Sequence, residues 1–363
     1  MTLTISDLPR DLVEKEIFSR IPLKYVRAVR LTCKEWETLI KSRSLTINGE
    51  ESQMIVLMDY NLCLMSISMN GGEPSTEIRG KLTCLDEQVK ISQFFHCEGL
   101  LLCILKDDDT KVVVWNPYWG QTRLIQARFS NRSNRWSRFN YALGYYKNNN
   151  NKMKSFKLLS SDERGISLKG NTYWCARERN PRNRFIICFD FTSERFGPLL
   201  RLPFRATSGS LVTLSCVREE KLAALFCRKF VVEVWITTRI EANKVSWSKF
   251  LTFEVGEYYP MINPGARSFF VDEVNKVAMI FDKTLTNDKT FIIGEAGYVR
   301  YVDLGEPAHQ DSWPLLCPYV PSLVQIKEPA RCKRKRQCSL ENRRCNRNMV
   351  RLITLEKHIY DAP

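Results

Sequence analysis

The sequence is poor in the residues from which active sites and metal centres are built. It has only three histidines among 363 residues, His96, His309 and His358, and none stands at metal-ligand spacing to a cysteine, aspartate or glutamate. No P-loop and no G-x-G-x-x-G motif occurs. These absences argue against nucleotide-dependent, metal-dependent and Cys/His enzymes. We therefore expect no catalytic residue, no metal and no cofactor.

Long apolar runs are missing as well. No run approaches the roughly 18 apolar residues that a membrane span needs, and the start of the chain turns polar within Met1–Asp7 instead of resembling a secretory signal. The 13 cysteines are odd in number and include no C-x-x-C pair, which is typical of buried thiols in a reducing compartment. We expect the protein in the cytoplasm, the nucleus or both.

The excess of positive charge is confined to two stretches. The chain carries 55 Lys and Arg against 40 Asp and Glu, a net charge of +15. One stretch has no acidic residue and is a candidate patch for an acidic target or another polyanion; it contains Arg123, Arg128, Arg132, Arg135 and Arg138. The other is the tail, whose densest run is a candidate nuclear-import signal and equally fits a solvated tail; it consists of Lys333, Arg334, Lys335 and Arg336. Because the rest is nearly neutral, nucleic acid is the less favoured partner.

The first 45 residues predict three short helices. Pro9 and Pro22 each stand where a helix would begin, and Thr32 with Glu35 forms a T-x-x-E capping box at the third start. A unit of this size is too small to hide so many apolar side chains on a core of its own. Part of that apolar surface should face another protein.

The order of these residues resembles the F-box, the segment by which substrate receptors dock on a Skp-type adaptor of cullin–RING ubiquitin ligases. The resemblance rests on L-P-x-D-L, I-F-S-R-I-P and V-R-x-x-C-K-x-W, over about residues 4–45. It implies an adaptor-binding set made of Leu8, Pro9, Leu12, Ile17, Ile21, Pro22, Val26, Val29, Cys33 and Trp36. The first helix is one residue longer than the commonest form, near Lys15, which turns later side chains by about 100°.

From about Gln53 onward, short β-branched and apolar runs separated by turn residues predict an all-β region. The runs are 54–58, 100–105, 112–115, 185–189, 230–235 and 277–281. Residues Asp190, Ile236 and Asp282 end such runs at intervals of 46, a period typical of propeller blades. Length alone then predicts about six blades, with turns near Asn116, Asp190 and Asp282. A β-sandwich is the alternative.

The combination of an F-box with G-L-L-L at Gly99–Leu102, W-N-P at Trp115–Pro117 and L-K-G-N-x-Y-W at Leu168–Trp174 resembles plant F-box proteins with an F-box-associated domain of type 1. Such domains are similar to kelch-like β-propellers. The resemblance implies a multidomain protein with three helices (1–46), an all-β propeller-like domain (53–326) and a basic tail (327–363).

Three functions are compatible with these features. The favoured one is a non-catalytic substrate receptor of an SCF-type ubiquitin ligase, which binds a Skp-type adaptor and an unidentified protein target. The second is a kelch-like scaffold with a non-docking F-box remnant. The third is a basic nucleic-acid-binding β protein, which would show steep salt dependence.

Overall fold

The structure is a computed structural model of the chain. It describes residues 51–70, 73–82, 89–108, 111–126, 140–147, 154–161, 165–177, 184–206, 211–228, 231–241, 243–254, 268–283, 288–303, 314–322, 324 and 326. The helices expected within 1–46 and the basic tail lie outside this part. Within it, no helix is long and apolar enough to cross a membrane.

The described part is built from antiparallel sheets that follow one another along the chain, each counted here as a blade. Blade 1 contains β1 (Glu51–Met58), β2 (Asn61–Asn70) and β3 (Glu73–Leu82). Blade 2 contains β4 (Ile91–Cys97), β5 (Leu100–Leu105), β6 (Lys111–Asn116) and β7 (Gln121–Gln126). A separate hairpin follows, β8 (Asn140–Lys147) and β9 (Lys154–Ser161).

Blade 3 contains β10 (Ile166–Leu168), β11 (Asn171–Arg177), β12 (Arg184–Asp190), β13 (Arg195–Phe196) and β14 (Leu200–Arg201). Blade 4 contains β15 (Leu211–Val217), β16 (Lys221–Arg228), β17 (Val231–Ile240) and β18 (Val245–Glu254). Blade 5 contains β19 (Ser268–Asp272), β20 (Val277–Lys283), β21 (Asp288–Gly294) and β22 (Val299–Asp303), with a 3₁₀ turn at Glu295–Gly297. The last strand, β23 (Leu315–Pro318), pairs with β1 and completes blade 1.

The innermost strands of the blades form a closed ring. Strand β15 contacts β19, β19 contacts β23, β23 contacts β4, β4 contacts β10, and β10 contacts β15. Because β23 comes from the C-terminal end of the domain and β1 from its beginning, the two ends of the chain close the ring in one sheet. This is the architecture of a five-bladed β-propeller.

The hydrophobic core lies between neighbouring blades. Separate buried clusters join blades 1 and 2, blades 3 and 4, blades 4 and 5, and blades 5 and 1. The β8–β9 hairpin fills the remaining interface, since Leu143 and Tyr145 pack on blade 2 while Ala142 packs on blade 3. Central strands are therefore buried on both faces, which explains continuous apolar runs such as Leu100–Leu105.

The structure confirms the all-β propeller and excludes the β-sandwich, but it corrects two details of the sequence analysis. Five blades are present in the described part, whereas length predicted about six; the β8–β9 hairpin and the long connections use residues without adding a blade. Asn116 ends β6 and Asp190 ends β12, which are the third strands of blades 2 and 3, and a turn follows each of them as predicted. Ile236, however, lies inside β17, and Asp282 lies near the end of a second strand, so the equal 46-residue spacing does not mark equivalent positions.

Candidate functional site

The propeller has two ends that differ in construction. At the end called here the turn face, each innermost strand of blades 2 to 5 passes into its neighbour through a short turn; these turns are Glu98–Gly99, Lys169–Gly170, 218–220 and 273–276. At the opposite end, the loop face, lie the connections between successive blades. Glu98, Gly99, Lys169 and Gly170 all have positive φ, which suits two-residue hairpin turns of type I′.

The first strand, β1, begins at the turn face. Ser52, beside the first residue of β1, donates a hydrogen bond to Asp272 at the end of β19, with 2.8 Å between Oγ and Oδ2. Asp272 also accepts the backbone N–H groups of Val274 and Asn275, at 2.9 and 3.1 Å. The same carboxylate thus holds both the β19–β20 turn and the beginning of β1.

The described residues 319–322, 324 and 326 lie on the turn face beside blade 2 and are held there by Asn116. The buried Asn116 amide donates to the carbonyl oxygens of Ser322 and Val324, at 3.0 and 2.6 Å. Its Oδ1 accepts the backbone N–H groups of Tyr118 and Trp119. The asparagine of the W-N-P motif therefore fixes its own turn and a segment more than 200 residues away.

A group of polar residues packs under the turns of blades 2 and 4. The Gly99 N–H lies between two acceptors, His96 Nε2 at 3.0 Å and Glu219 Oε1 at 3.2 Å. Tyr145 donates its hydroxyl to the Glu98 carboxylate, and the Tyr319 ring meets the His96 ring edge-on. These contacts join the hairpin, two blades and the C-terminal segment.

His96 is suited to structure and not to proton transfer. Complete burial lowers the pKa of its imidazole from 6.5 to about 4, because burial disfavours the charged form. His96 Nε2 lies 3.0 Å from the Gly99 nitrogen and 3.1 Å from Glu219 Oε1; burial outweighs the nearby carboxylate and keeps the ring neutral at pH 7. His96 is therefore a packed histidine of the propeller.

The cavity at the centre of the ring leaves little room for a ligand. It measures about 30 Å³, space for one or two water molecules. Two of its lining hydroxyls are already bonded: Ser215 donates to the Phe269 carbonyl at 2.7 Å, and Ser268 accepts the Leu316 N–H at 3.2 Å. Among the described residues, no cluster of His, Cys, Asp and Glu could hold a metal ion.

Two buried thiols, Cys188 and Cys216, are poor nucleophiles at neutral pH. They belong to eight cysteines of the described part that are in the thiol form. Burial raises the pKa of Cys216 to about 12 and that of Cys188 to about 11. Because the thiolate is the reactive form of cysteine, Cys188 and Cys216 contribute to core packing and not to covalent chemistry.

Comparison with known protein families identifies the family of this chain. Residues 5–48 match the F-box domain, and residues 53–165 and 159–326 match the F-box associated beta propeller domain. The chain belongs to the F-box proteins with an associated β-propeller. Proteins of this family are typically substrate receptors of SCF-type ligases and are generally non-catalytic.

Relatives of this F-box protein occur in Arabidopsis thaliana. A putative F-box/kelch-repeat protein is 66% identical, covering 99% of this chain and 97% of the relative. A putative F-box protein is 53% identical over 98% of this chain and 96% of the relative. An F-box/kelch-repeat protein is 46% identical over 95% of each.

Most site residues predicted for this F-box protein lie outside the described part. This applies to the adaptor-binding set from Leu8 to Trp36, to the four arginines from Arg128 to Arg138, and to the run Lys333–Arg336. Arg123 is described: it lies on the outermost strand β7, opposite Val114, and is exposed. Asp107 and Asp108 lie in the β5–β6 connection, where Asp108 pairs with Lys111 at 3.0 Å.

Sequence reasoning missed a basic group on the loop face of the F-box protein. Arg184 begins β12, Arg228 ends β16, and Arg205 lies between β14 and β15. A signal was present, because Arg228 ends an apolar run immediately before a turn and so stands at a strand end. That these strand ends share the loop face follows from the order of the strands in blades 3 and 4, which no local pattern shows.

Proposed function

We propose that this F-box protein is the substrate-recognition subunit of an SCF-type cullin–RING ubiquitin ligase. In this proposal the F-box docks a Skp-type adaptor and the propeller holds a protein target for ubiquitination. The observation that carries it is the pairing in one chain of an F-box match ending at residue 48 with a propeller match beginning at residue 53. The cytoplasm or nucleus is the compartment that this proposal assigns, and imaging of a fluorescent fusion tests it.

The closed propeller is compatible with a docking role for the F-box. Among the described residues, the buried side chains of the inter-blade clusters come from residues 54–319, with Val324 and Ile326 packed against one cluster. The proposal assigns the apolar side chains of residues 4–45 to the adaptor interface. In this proposal the chain positions the target and performs no chemistry itself. Holding the target near a ubiquitin-loaded carrier raises the effective concentration of the reacting groups.

Titration of a purified Skp-type adaptor against the full-length chain tests the proposal. Leu8→Ala combined with Pro9→Ala removes two anchors of the predicted interface, and we expect adaptor affinity to fall by at least about tenfold. The exposed Lys276→Ala on the turn face is the control and should bind as wild type does. Equal affinity of the double variant, or no measurable binding by wild type, would refute the receptor role and favour the scaffold alternative.

A further inference from the structure

The turn between β19 and β20 carries an exposed valine. Val274 has an exposed fraction of 53%. The other large hydrophobic side chains exposed in the described part lie on the outer edges of the blades; they are Ile78, Leu124, Leu199 and Tyr301. Val274 differs from them by its position, because its turn joins the innermost strand of blade 5 to the next strand, on the turn face.

The polar side chains of this turn are bonded to the propeller itself. Glu273 pairs with Lys221 of blade 4, with 2.7 Å between Oε1 and Nζ, and Lys276 pairs with the glutamate of the 3₁₀ turn at 2.9 Å. The Asn275 amide donates to the carboxylate at the end of β19 at 2.9 Å. With these groups engaged, the turn presents Val274 as an apolar contact group.

Val274 lies beside the beginning of β1. The two oxygens of the Asp272 carboxylate join them: Oδ1 accepts the Val274 N–H at 2.9 Å, and Oδ2 accepts the Ser52 hydroxyl at 2.8 Å. The next residue of β1 is held from the other side, because the Gln53 carbonyl accepts the Tyr319 N–H at 3.0 Å. The beginning of β1 is therefore fixed next to the exposed valine.

The connection from the F-box match to β1 is short. The match, called here the F-box segment, ends at residue 48, and β1 begins at Glu51. Fully extended, the chain from residue 48 to residue 51 spans at most about 11 Å. Two of the last four residues of the F-box segment, Leu45 and Ile47, are apolar. An apolar chain end is thus tethered close to an exposed apolar side chain.

We propose that the end of the F-box segment packs on the β19–β20 turn, with Val274 as its apolar contact. Packing at this turn removes the Val274 side chain from water, which stabilises the contact. The inference goes beyond the proposed receptor function and does not depend on it, because it uses only the F-box match and the contacts of the turn.

A second copy of the chain or a target protein fits this turn less well. The F-box segment is tethered within about 11 Å of β1, and so short a tether gives the attached segment a local concentration on the order of millimolar. A separate protein must reach the turn at its own, lower concentration. A partner that binds through charge also meets ionic groups that are already paired.

Photo-crosslinking of the purified full-length chain tests the proposed contact. The photo-reactive residue p-benzoylphenylalanine replaces Val274, and after irradiation mass spectrometry identifies the peptides joined to it. We expect crosslinks to residues 38–50 of the same chain. The same photo-reactive residue in place of Tyr301, which is exposed on the outermost strand of the same blade, is the control and should give none in this range.

Limited proteolysis measures the same contact without a bulky probe. Trypsin cleaves after Lys41 and Arg43, near the end of the F-box segment. Val274→Asp places a charge in the apolar contact, so we expect cleavage at these two residues to be at least about fivefold faster than in wild type. Leu124→Asp adds the same charge at the outer edge of blade 2 and should stay within about twofold of wild type. Melting temperatures of both variants show whether the propeller is folded.

Crosslinks from position 274 to another chain, or none to residues 38–50, would overturn the inference, and so would equal cleavage rates in the Val274 and Leu124 variants. Adaptor titration of the same proteins keeps the two claims apart. We expect Val274→Asp to bind the adaptor within about twofold of wild type, because Val274 lies outside the predicted adaptor-binding set. Crosslinks within a chain that binds no adaptor would leave the contact intact and refute the receptor role.

Discussion

At the scale of single residues, two glycines of the propeller share a backbone conformation and differ in surroundings. Gly99 has φ +72 and Gly297 has φ +77. A Cβ at Gly99 would lie 2.3 Å from the Ser322 Cβ and 2.7 Å from the Val320 oxygen, whereas nothing lies within 4 Å of one at Gly297. Alanine variants at the two positions therefore separate the cost of the left-handed backbone conformation from the cost of the steric clash.

We expect Gly297→Ala to lower the free energy of unfolding by about 1–2 kcal/mol, the cost of left-handed backbone. Gly99→Ala should cost about 1–3 kcal/mol more, because the C-terminal segment must move away from the turn. Urea unfolding of both variants measures the difference. Equal losses would show that the contact with Ser322 contributes nothing.

The buried His96 makes stability depend on pH. Its pKa is about 4 in the folded chain and 6.5 as an unperturbed group. The unfolded chain therefore takes up a proton near pH 6.5 that the folded chain accepts only near pH 4, and stability falls as the pH drops through this window.

Between pH 7 and 4.5, wild type should lose about 2–3 kcal/mol more unfolding free energy than His96→Gln. Glutamine keeps an acceptor for the Gly99 N–H and has no proton to gain. Unfolding curves at the two pH values give the comparison. Parallel losses in the two proteins would mean that His96 does not titrate in this range.

At the scale of elements, the sequence predicts strands well because each strand is fixed by local chemistry. The run Leu100–Leu105 coincides with β5, and Leu168–Trp174 forms the inner hairpin of blade 3 around Lys169–Gly170. The hairpin signals are local, since glycine permits the positive φ of a tight turn. The role of Asn116 as a clamp is not local, because its partners lie more than 200 residues away.

Replacement of Asn116 should release the C-terminal segment. Asn116→Ala leaves two carbonyl groups and two N–H groups without their amide partner, so we expect a loss of about 2–4 kcal/mol in unfolding free energy. Asn61→Ala is the matched control, since the half-buried Asn61 amide donates to Asp59 across two residues. Calorimetry that found the two variants equally stable would contradict the clamp.

At the scale of the whole molecule, ring closure escapes prediction from sequence. Dividing the length of the β region by the typical length of a blade predicts about six blades. This overestimates the number, because the β8–β9 hairpin and the long connections contribute residues and form no blade. The pairing of β23 with β1 joins residues about 260 positions apart through Leu315–Pro318, and the Tyr319 N–H adds a hydrogen bond to the Gln53 carbonyl at 3.0 Å.

Two truncations test the closure. Removing residues 327–363 should leave a single unfolding transition close to that of the full chain, because the described core ends before this tail. Removing residues 314–363 also removes the buried side chains of Leu315, Leu316 and Tyr319. Their burial contributes about 5–8 kcal/mol, which is comparable to the typical total unfolding free energy of about 5–15 kcal/mol. We expect that variant to lose cooperative unfolding; a sharp transition at an unchanged temperature would show that four blades and an open sheet suffice.

Strand β23 is synthesised last among the described strands, which affects the folding of the nascent chain. Strand β1 leaves the ribosome early, yet its inner edge stays unpaired until residues 59–314 have been made, roughly 10–50 s later at about 5–20 residues per second. That edge belongs to the apolar stretch Met54–Met58, a type of segment that readily pairs with strands of other chains. Newly made chains should therefore need a chaperone bound at β1 until translation nears its end, and ribosomes stalled before residue 315 should yield aggregates.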